Sequence, residues 1–199
     1  NTPFPPDIVA FYSRKSAKSG SQTTLCDGAK IVKAMSAEMK NRFEQPIIVS
    51  RTLPEALWKA YIANEHPEIN KPEQVTNAHL QQIIQAAPGQ SAELNSQGEL
   101  LYQLEVSPLL STSGQTAFAN AILGPSFNYE PPRYHFNSGA ELDLDLKEQL
   151  AELAEKFTIE LAWQDGDMLL IDNTRVMHGR RAIEGDPEQR QLVIAMGLH

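Results

Sequence analysis

The sequence predicts an α+β fold. Two observations carry that reading: β-prone apolar segments stand at both ends of the chain, and segments with helical apolar spacing stand between them. Strands so far apart in sequence form a sheet only by pairing across the inserted helices, which is the α+β arrangement.

The first strand is expected from Asp7 to Ser13, after the Pro5–Pro6 break. A basic loop of small residues follows, in which Thr23, Thr24 and Leu25 start a short strand. Asp27 is a suitable N-cap for one helix whose Ile31, Val32, Met35, Met39 and Phe43 share a face. Pro46 to Ser50 reads as a short buried strand. Thr52 and Pro54 then begin a second helix reaching about Asn64, proline being well placed in a first turn. The stretch from His66 to Gln97 is polar, with a short helix over Asn77 to Ala87. Gln97–Gly98 is a turn before the strand-like "ELLYQLEV", and Thr116 to Leu123 is a further strand candidate. Pro125 to Gly139 reads as a loop. Asp145 caps a helix whose Leu146, Leu150, Leu153, Ala154 and Phe157 form an apolar stripe. "FTIELAW", "DMLLIDN" and "QLVIAMG" close the chain as strands, with "DMLLIDN" apolar enough for burial on both faces.

Composition narrows the class of function. A length of 199 residues suits one domain, and a formal charge of −8 offers no basic field for nucleic acid or an anionic membrane. A single cysteine, Cys26, excludes an internal disulfide framework and a cysteine-rich zinc site, and it suits a reducing cytoplasm. The first residues carry no basic segment followed by an apolar one, so no leader is expected there.

The chemistry concentrates near the C-terminus. Asp165–Gly166 turns into a strand, and the chain is expected to leave the sheet around His178 and return along a strand opened by Arg190. A neutral imidazole suits Fe(II), and a guanidinium fork suits a carboxylate. A lone histidine at a strand end is equally a hydrogen-bonded structural residue, and a lone arginine an edge-strand cation. Arg175 and Arg180 flank His178 and meet either a substrate carboxylate or the acids Asp172 and Glu184.

Two stretches together carry a family resemblance. "GDMLLIDNTRVMHGR", with Arg190 opening "QLVIAMG", resembles the end of the TauD/TfdA-like, or clavaminate synthase-like, Fe(II)/2-oxoglutarate oxygenases. "PPDIVAFYS" followed by "GSQTTLCDG" is similar to that family's Pro-Pro strand and its G-G-x-T-x-L-x-D segment. The resemblance implies a double-stranded β-helix (jelly roll) with helices outside it, as one domain over 1–199 with a variable insert at about 52–115. It implies an enzyme that uses Fe(II), 2-oxoglutarate and O2 to hydroxylate a small amino-acid-like or carboxylated metabolite. His178 is then an iron ligand, and Arg190 and Thr23 hold the far carboxylate of 2-oxoglutarate. Arg180 and Asn120 face substrate.

The family's other two iron ligands form an H-x-D or H-x-E just before the Pro-Pro strand, which falls before Asn1 here. The one internal H-x-E, His66–Pro67–Glu68, follows a helix and reads as a solvated helix end. The competing reading is a non-catalytic jelly-roll protein that keeps the arginine pocket without a metal.

Overall fold

The computed structural model describes residues 3–66, 68–112, 114–124, 131–184 and 190–198. In chain order the elements are β1 (Ile8–Lys15), β2 (Thr23–Asp27), α1 (Gly28–Ala34), α2 (Ala37–Phe43), β3 (Ile47–Leu53), α3 (Glu55–Glu65), α4 (Asn77–Ala86), β4 (Gln90–Leu94) and β5 (Leu100–Val106). They continue with β6 (Leu109–Thr112), β7 (Gln115–Phe118), β8 (Arg133–Phe136), α5 (Leu144–Lys156), β9 (Thr158–Leu161), β10 (Met168–Asp172), β11 (Val176–Arg180) and β12 (Gln191–Gly197). The mixed α/β class expected from the sequence is what the chain forms.

Contacts divide the chain into two compact units. One comprises Asn1–Phe4, Pro46–Val106 and Pro125–Leu142; the other comprises Pro5–Gln45, Ser107–Gly124 and Asp143–His199. The first contains an antiparallel sheet in the order β4-β5-β3-β8. Helices α3 and α4 supply Trp58, Ile62 and Leu80 to a core that Leu100 of β5 completes. The Trp58 indole finds its polar partner in the Gly98 carbonyl, 3.1 Å away.

The second unit carries the expected site residues and is built on two three-stranded antiparallel sheets, β10-β1-β12 and β11-β2-β9. Val9 and Phe11 of β1 and Ile171 of β10 form a buried cluster. Leu25 of β2 and Val176 of β11 pack against that cluster, so the two sheets face each other across it. Outside the sheets α5 buries Leu146, Leu150 and Ala154, and α1 packs on β7 and α5. Complete burial of an aliphatic side chain such as Leu150, 0% exposed, is worth about 1.5–3 kcal/mol. Cys26 is buried with its thiol 3.3 Å from the Ala154 carbonyl, and burial pushes the thiol pKa up, which keeps it a packing residue.

Several local expectations are corrected. The single helix from Asp27 to Phe43 is two, because the Ser36 hydroxyl caps a new start by accepting from the Met39 N–H at 3.1 Å. The apolar stripe survives the break, with Ile31, Val32, Met39 and Phe43 all buried. Thr52 lies inside β3, and α3 starts only after Pro54. Asp143, not Asp145, caps α5, its carboxylate accepting from Leu146 N–H at 2.7 Å. The polar stretch before Gln97 contains β4, and the expected loop from Pro125 to Gly139 contains β8; of that loop, 125–130 lie outside the described residues.

"DMLLIDN" is not buried on both faces. Ile171 is 3% exposed while Met168 and Leu170 are 78% and 70% exposed, because strand alternation sends them outward where no described residue covers them. Among the described residues no helix is long and apolar enough to cross a membrane.

Candidate functional site

The site is assembled on the pairing of β2 with β11. His178 does not sit in a loop leaving the sheet, as the sequence suggests, but in the middle of β11. The apolar run before it encourages the loop reading, yet the turn is short, closed by Arg175 N–H to the Asp172 carbonyl, and the chain re-enters a sheet at Val176. Register places His178 opposite Leu25, Gly179 opposite Thr24 and Arg180 opposite Thr23. Alternation then puts Thr23, Leu25, His178 and Arg180 on one face, the face that packs toward β1. Thr24 and Cys26 lie on the other face, toward α5.

That separates Thr23 from its neighbour Thr24. Thr24 packs against its cross-strand neighbour Gly179, where an added Cβ would come within 2.9 Å of the Thr24 hydroxyl. Thr23 is 2% exposed and accepts a hydrogen bond from the Trp163 indole N–H at 2.7 Å. Phe11 meets Trp163 with ring centroids 6.3 Å apart, and it meets His178 edge-on at 5.4 Å. A continuous contact series therefore runs from Thr23 through Trp163 and Phe11 to His178. Packing around the imidazole pushes its pKa down, although the residue keeps an exposed edge, so the ring is neutral at neutral pH.

Arg190 immediately precedes β12, two residues before Leu192, which packs against the inter-sheet cluster. It is half-buried. Its pKa is lowered first by burial and then by the nearby positive charge of Arg180. Arg180 is the register partner of Thr23, and its positive charge acts on Arg190. Neither arginine has a hydrogen-bond or ion-pair partner among the described residues. The Thr23 hydroxyl is also incompletely used: the indole can only donate, so Thr23 accepts from it and its own O–H finds no acceptor among the described residues. Residues 185–189 lie outside the described residues.

The other expected site residues are placed as follows. The Arg175 side chain makes its ion pair with neither Asp172 nor Glu184. It forks onto Asp27, Nε to Oδ1 at 3.0 Å and Nη2 to Oδ2 at 2.6 Å, because Asp27 ends β2 beside the turn entering β11. Asn120 lies in a turn after β7, not in a strand running to Leu123. Its Nδ2 donates to the Pro108 carbonyl at 3.1 Å and its Oδ1 accepts from Ile122 N–H at 3.0 Å. His66 and Glu68 meet each other at 3.3 Å, and the rings of His66 and His79 are 5.6 Å apart; Pro67 lies outside the described residues. Among the described residues no three His, Cys, Asp or Glu side chains come together as a metal-holding group, at His178 or elsewhere.

Sequence reasoning missed Trp163 and Phe11. An aromatic with a polar tip, placed at a strand end before the Asp165–Gly166 turn, is the available signal for Trp163, since a buried indole N–H needs an acceptor. Phe11 carries no signal beyond its place in an apolar strand.

Comparison with known proteins adds a family and a fold. The family model described as "Taurine catabolism dioxygenase TauD, TfdA family" matches residues 1–196. The dapdiamide synthesis protein DdaC of Enterobacter agglomerans is 22% identical over 203 residues, covering 95% of this chain and 61% of its own length. A crystal structure of AAD-2 in complex with Mn(II) and N-oxalylglycine superposes with a TM-score of 0.56 at 15% identity, covering 98% of this chain and 64% of that one. A Burkholderia xenovorans protein described as an alpha-ketoglutarate-dependent 2,4-D dioxygenase gives 0.57 at 14% identity, covering 97% and 62%. The chain thus spans 61–64% of the length of these relatives.

Proposed function

This chain belongs to the taurine catabolism dioxygenase TauD, TfdA family, and from that premise we propose that it works in an Fe(II)- and 2-oxoglutarate-dependent dioxygenase acting on a small carboxylated or amino-acid-like metabolite. The two facing sheets are read as part of a double-stranded β-helix. One observation carries the proposal: among the described residues the half-buried Arg190 guanidinium has no counter-charge and the buried Thr23 hydroxyl has no acceptor for its proton, while Arg180, the register partner of Thr23, adds its positive charge near Arg190. Among the described residues both lack the same thing, an anion. A carboxylate accepts two hydrogen bonds from an arginine fork and one from a hydroxyl, and it offsets the cost of burying the charge.

The residues present fit the far carboxylate of 2-oxoglutarate well and the metal at a single position. His178 offers a neutral imidazole nitrogen on the same sheet face, but the described residues do not gather the three ligands that such iron takes. When bound, iron with 2-oxoglutarate and O2 supplies the oxidising chemistry, and the protein's part is to hold and orient. Arg190 and Thr23 fix the far end of the co-substrate, and Phe11 limits the tilt of the His178 ring. Arg180, exposed at the end of β11, is assigned to a substrate carboxylate. Asn120 has one amide hydrogen unused among the described residues, which is assigned to a substrate acceptor, while the rest of its amide holds its turn.

Calorimetric titration with 2-oxoglutarate tests the anion site. Arg190→Ala should weaken binding about tenfold or more, the scale of a charge-assisted hydrogen-bond pair, with iron affinity unchanged; an unchanged 2-oxoglutarate affinity rejects the assignment. The non-catalytic reading shares the arginine pocket. Anaerobic addition of Fe(II) with 2-oxoglutarate to the intact protein, with an H-x-D or H-x-E present before the Pro-Pro strand, separates the two, since only the enzyme gives a visible metal-to-ligand charge-transfer band.

A further inference from the structure

We propose that Trp163 is a positioning residue that turns Thr23 into a hydrogen-bond donor toward the co-substrate carboxylate. The inference rests on the Arg190–Thr23 reading above and adds a residue to it.

A threonine hydroxyl is both donor and acceptor, and it rotates to suit its neighbours. Beside a carboxylate only the donor orientation helps. An indole N–H has no acceptor capacity, so at 2.7 Å from the Thr23 oxygen it fixes that oxygen as acceptor, and the Thr23 proton must point elsewhere. Because Thr23 is 2% exposed, water does not compete for the arrangement.

Trp163 is itself held in place. The turn that follows it is tied to β1 at several points. Gly166 N–H donates to the Ser13 carbonyl at 2.7 Å, and Ser13 N–H donates to the Asp167 carbonyl at 2.9 Å. The Ser16 N–H and hydroxyl donate to the Asp165 carboxylate at 2.7 and 2.8 Å. Gln164 N–H donates to the Asp167 carboxylate at 2.8 Å. The indole is thus aimed from a turn fastened to one sheet at a hydroxyl on the other, with its ring against Phe11. A side chain needed only for packing does not require its one polar atom to land on the threonine of the anion site.

The test is a double-mutant cycle on ligand affinity with two probes, 2-oxoglutarate and 2-oxobutyrate, which lacks the far carboxylate. Ligand-observed NMR reads both down to weak binding. Trp163→Phe and Thr23→Val should each weaken 2-oxoglutarate about five- to tenfold, the scale of one hydrogen bond to a charged group, and leave 2-oxobutyrate unchanged. In the Thr23→Val background Trp163→Phe should cost nothing further. A full additional loss there, or an equal loss for 2-oxobutyrate, reduces Trp163 to packing and overturns the proposal. If Arg190→Ala weakens 2-oxoglutarate while Trp163→Phe does not, the role of Trp163 fails and the anion site stands. If the unaltered chain shows no Arg190-dependent binding, the anion site itself fails, and the role of Trp163 with it.

Should Trp163→Phe not fold, the unaltered chain still decides. It has two tryptophans, and a Trp58→Phe comparison assigns their indole N–H signals. 2-Oxoglutarate should move the Trp163 signal and leave that of Trp58, bonded to Gly98, in place; an unmoved Trp163 signal refutes the coupling.

Discussion

Gly28→Ala should destabilise the unit bearing His178 by about 1–3 kcal/mol net, although helix propensity alone favours alanine by about 1 kcal/mol. Gly28 opens α1, and a Cβ there would lie 2.2 Å from the Phe118 carbonyl oxygen and 2.7 Å from that of Arg175. Both obstacles are backbone, so neither rotates away. An ordinary carbon–oxygen approach is about 3.3 Å, which requires the helix start to move by about 1 Å. The Gly28 N–H bond to the Arg175 carbonyl, 2.9 Å long, does not survive that movement. Overpacking costs about 1–3 kcal/mol, the lost hydrogen bond about 1, and the weakened Asp27–Arg175 pair a further fraction. Their sum exceeds the propensity gain. Urea unfolding followed by Trp163 fluorescence in a Trp58→Phe background reads the effect on this unit alone. A neutral or stabilised Gly28→Ala refutes the reasoning, because it shows that α1 is not wedged between the end of β7 and the turn entering β11.

Three further outcomes are expected. Ser13→Ala should raise stability by up to about 1 kcal/mol in the same assay, because the Ser13 hydroxyl is fully buried without a partner among the described residues; a clear loss contradicts this. The Arg175 fork holds the Asp27 carboxyl below its ordinary 3.8, so the stability it contributes is present above that pH and is lost as pH falls through the lower folded value. Thermal melts should therefore show a steeper acid-side fall for the natural chain than for Asp27→Asn, and parallel curves would remove the linkage. Met168→Thr and Leu170→Thr, both at exposed side chains, should change the unfolding free energy by about 0.5 kcal/mol or less; a large destabilisation would mean that this face is packed.

Much of the architecture was legible because it rests on short-range pattern. The stripe of α5, the capping Asp27 and the strand from Ile8 follow from spacing and from one polar side chain at a boundary. β4 and β8 escaped because each gains its stability from the sheet partner it meets: "QSAEL" is mostly polar, and "RYHF" alternates over only four residues. His178 and Arg190 stood out through their motif, but their surroundings did not. Which threonine shares a face with His178 depends on the register of β2 against β11, and neither strand's sequence states that register. The Trp163–Thr23 bond spans 140 residues. Arg175 was matched to acids near it in sequence, whereas its partner, Asp27, is 148 residues away.

Asp27 shows how such distant contacts determine the site. Its carboxylate accepts from Ala29 N–H at 3.0 Å, which starts α1, and it grips Arg175 at 2.6 Å, which ends the turn before β11. Its Cα is also the register partner of Val176, the first residue of β11. One side chain therefore ties together the end of β2, the start of α1 and the start of β11. A slip of one residue in that pairing would send His178 to the Cys26 face and Arg180 away from Thr23, since strand side chains alternate with a period of two. Asparagine at 27 keeps the cap but loses the charge on the fork, so Asp27→Asn tests register apart from helix initiation. If the Asp27–Arg175 pair is what holds the register, the hydrogen-exchange protection of β11 amides should fall in that variant while α1 stays protected. Equal loss in both would show that the pair does not act on the register of β11 alone.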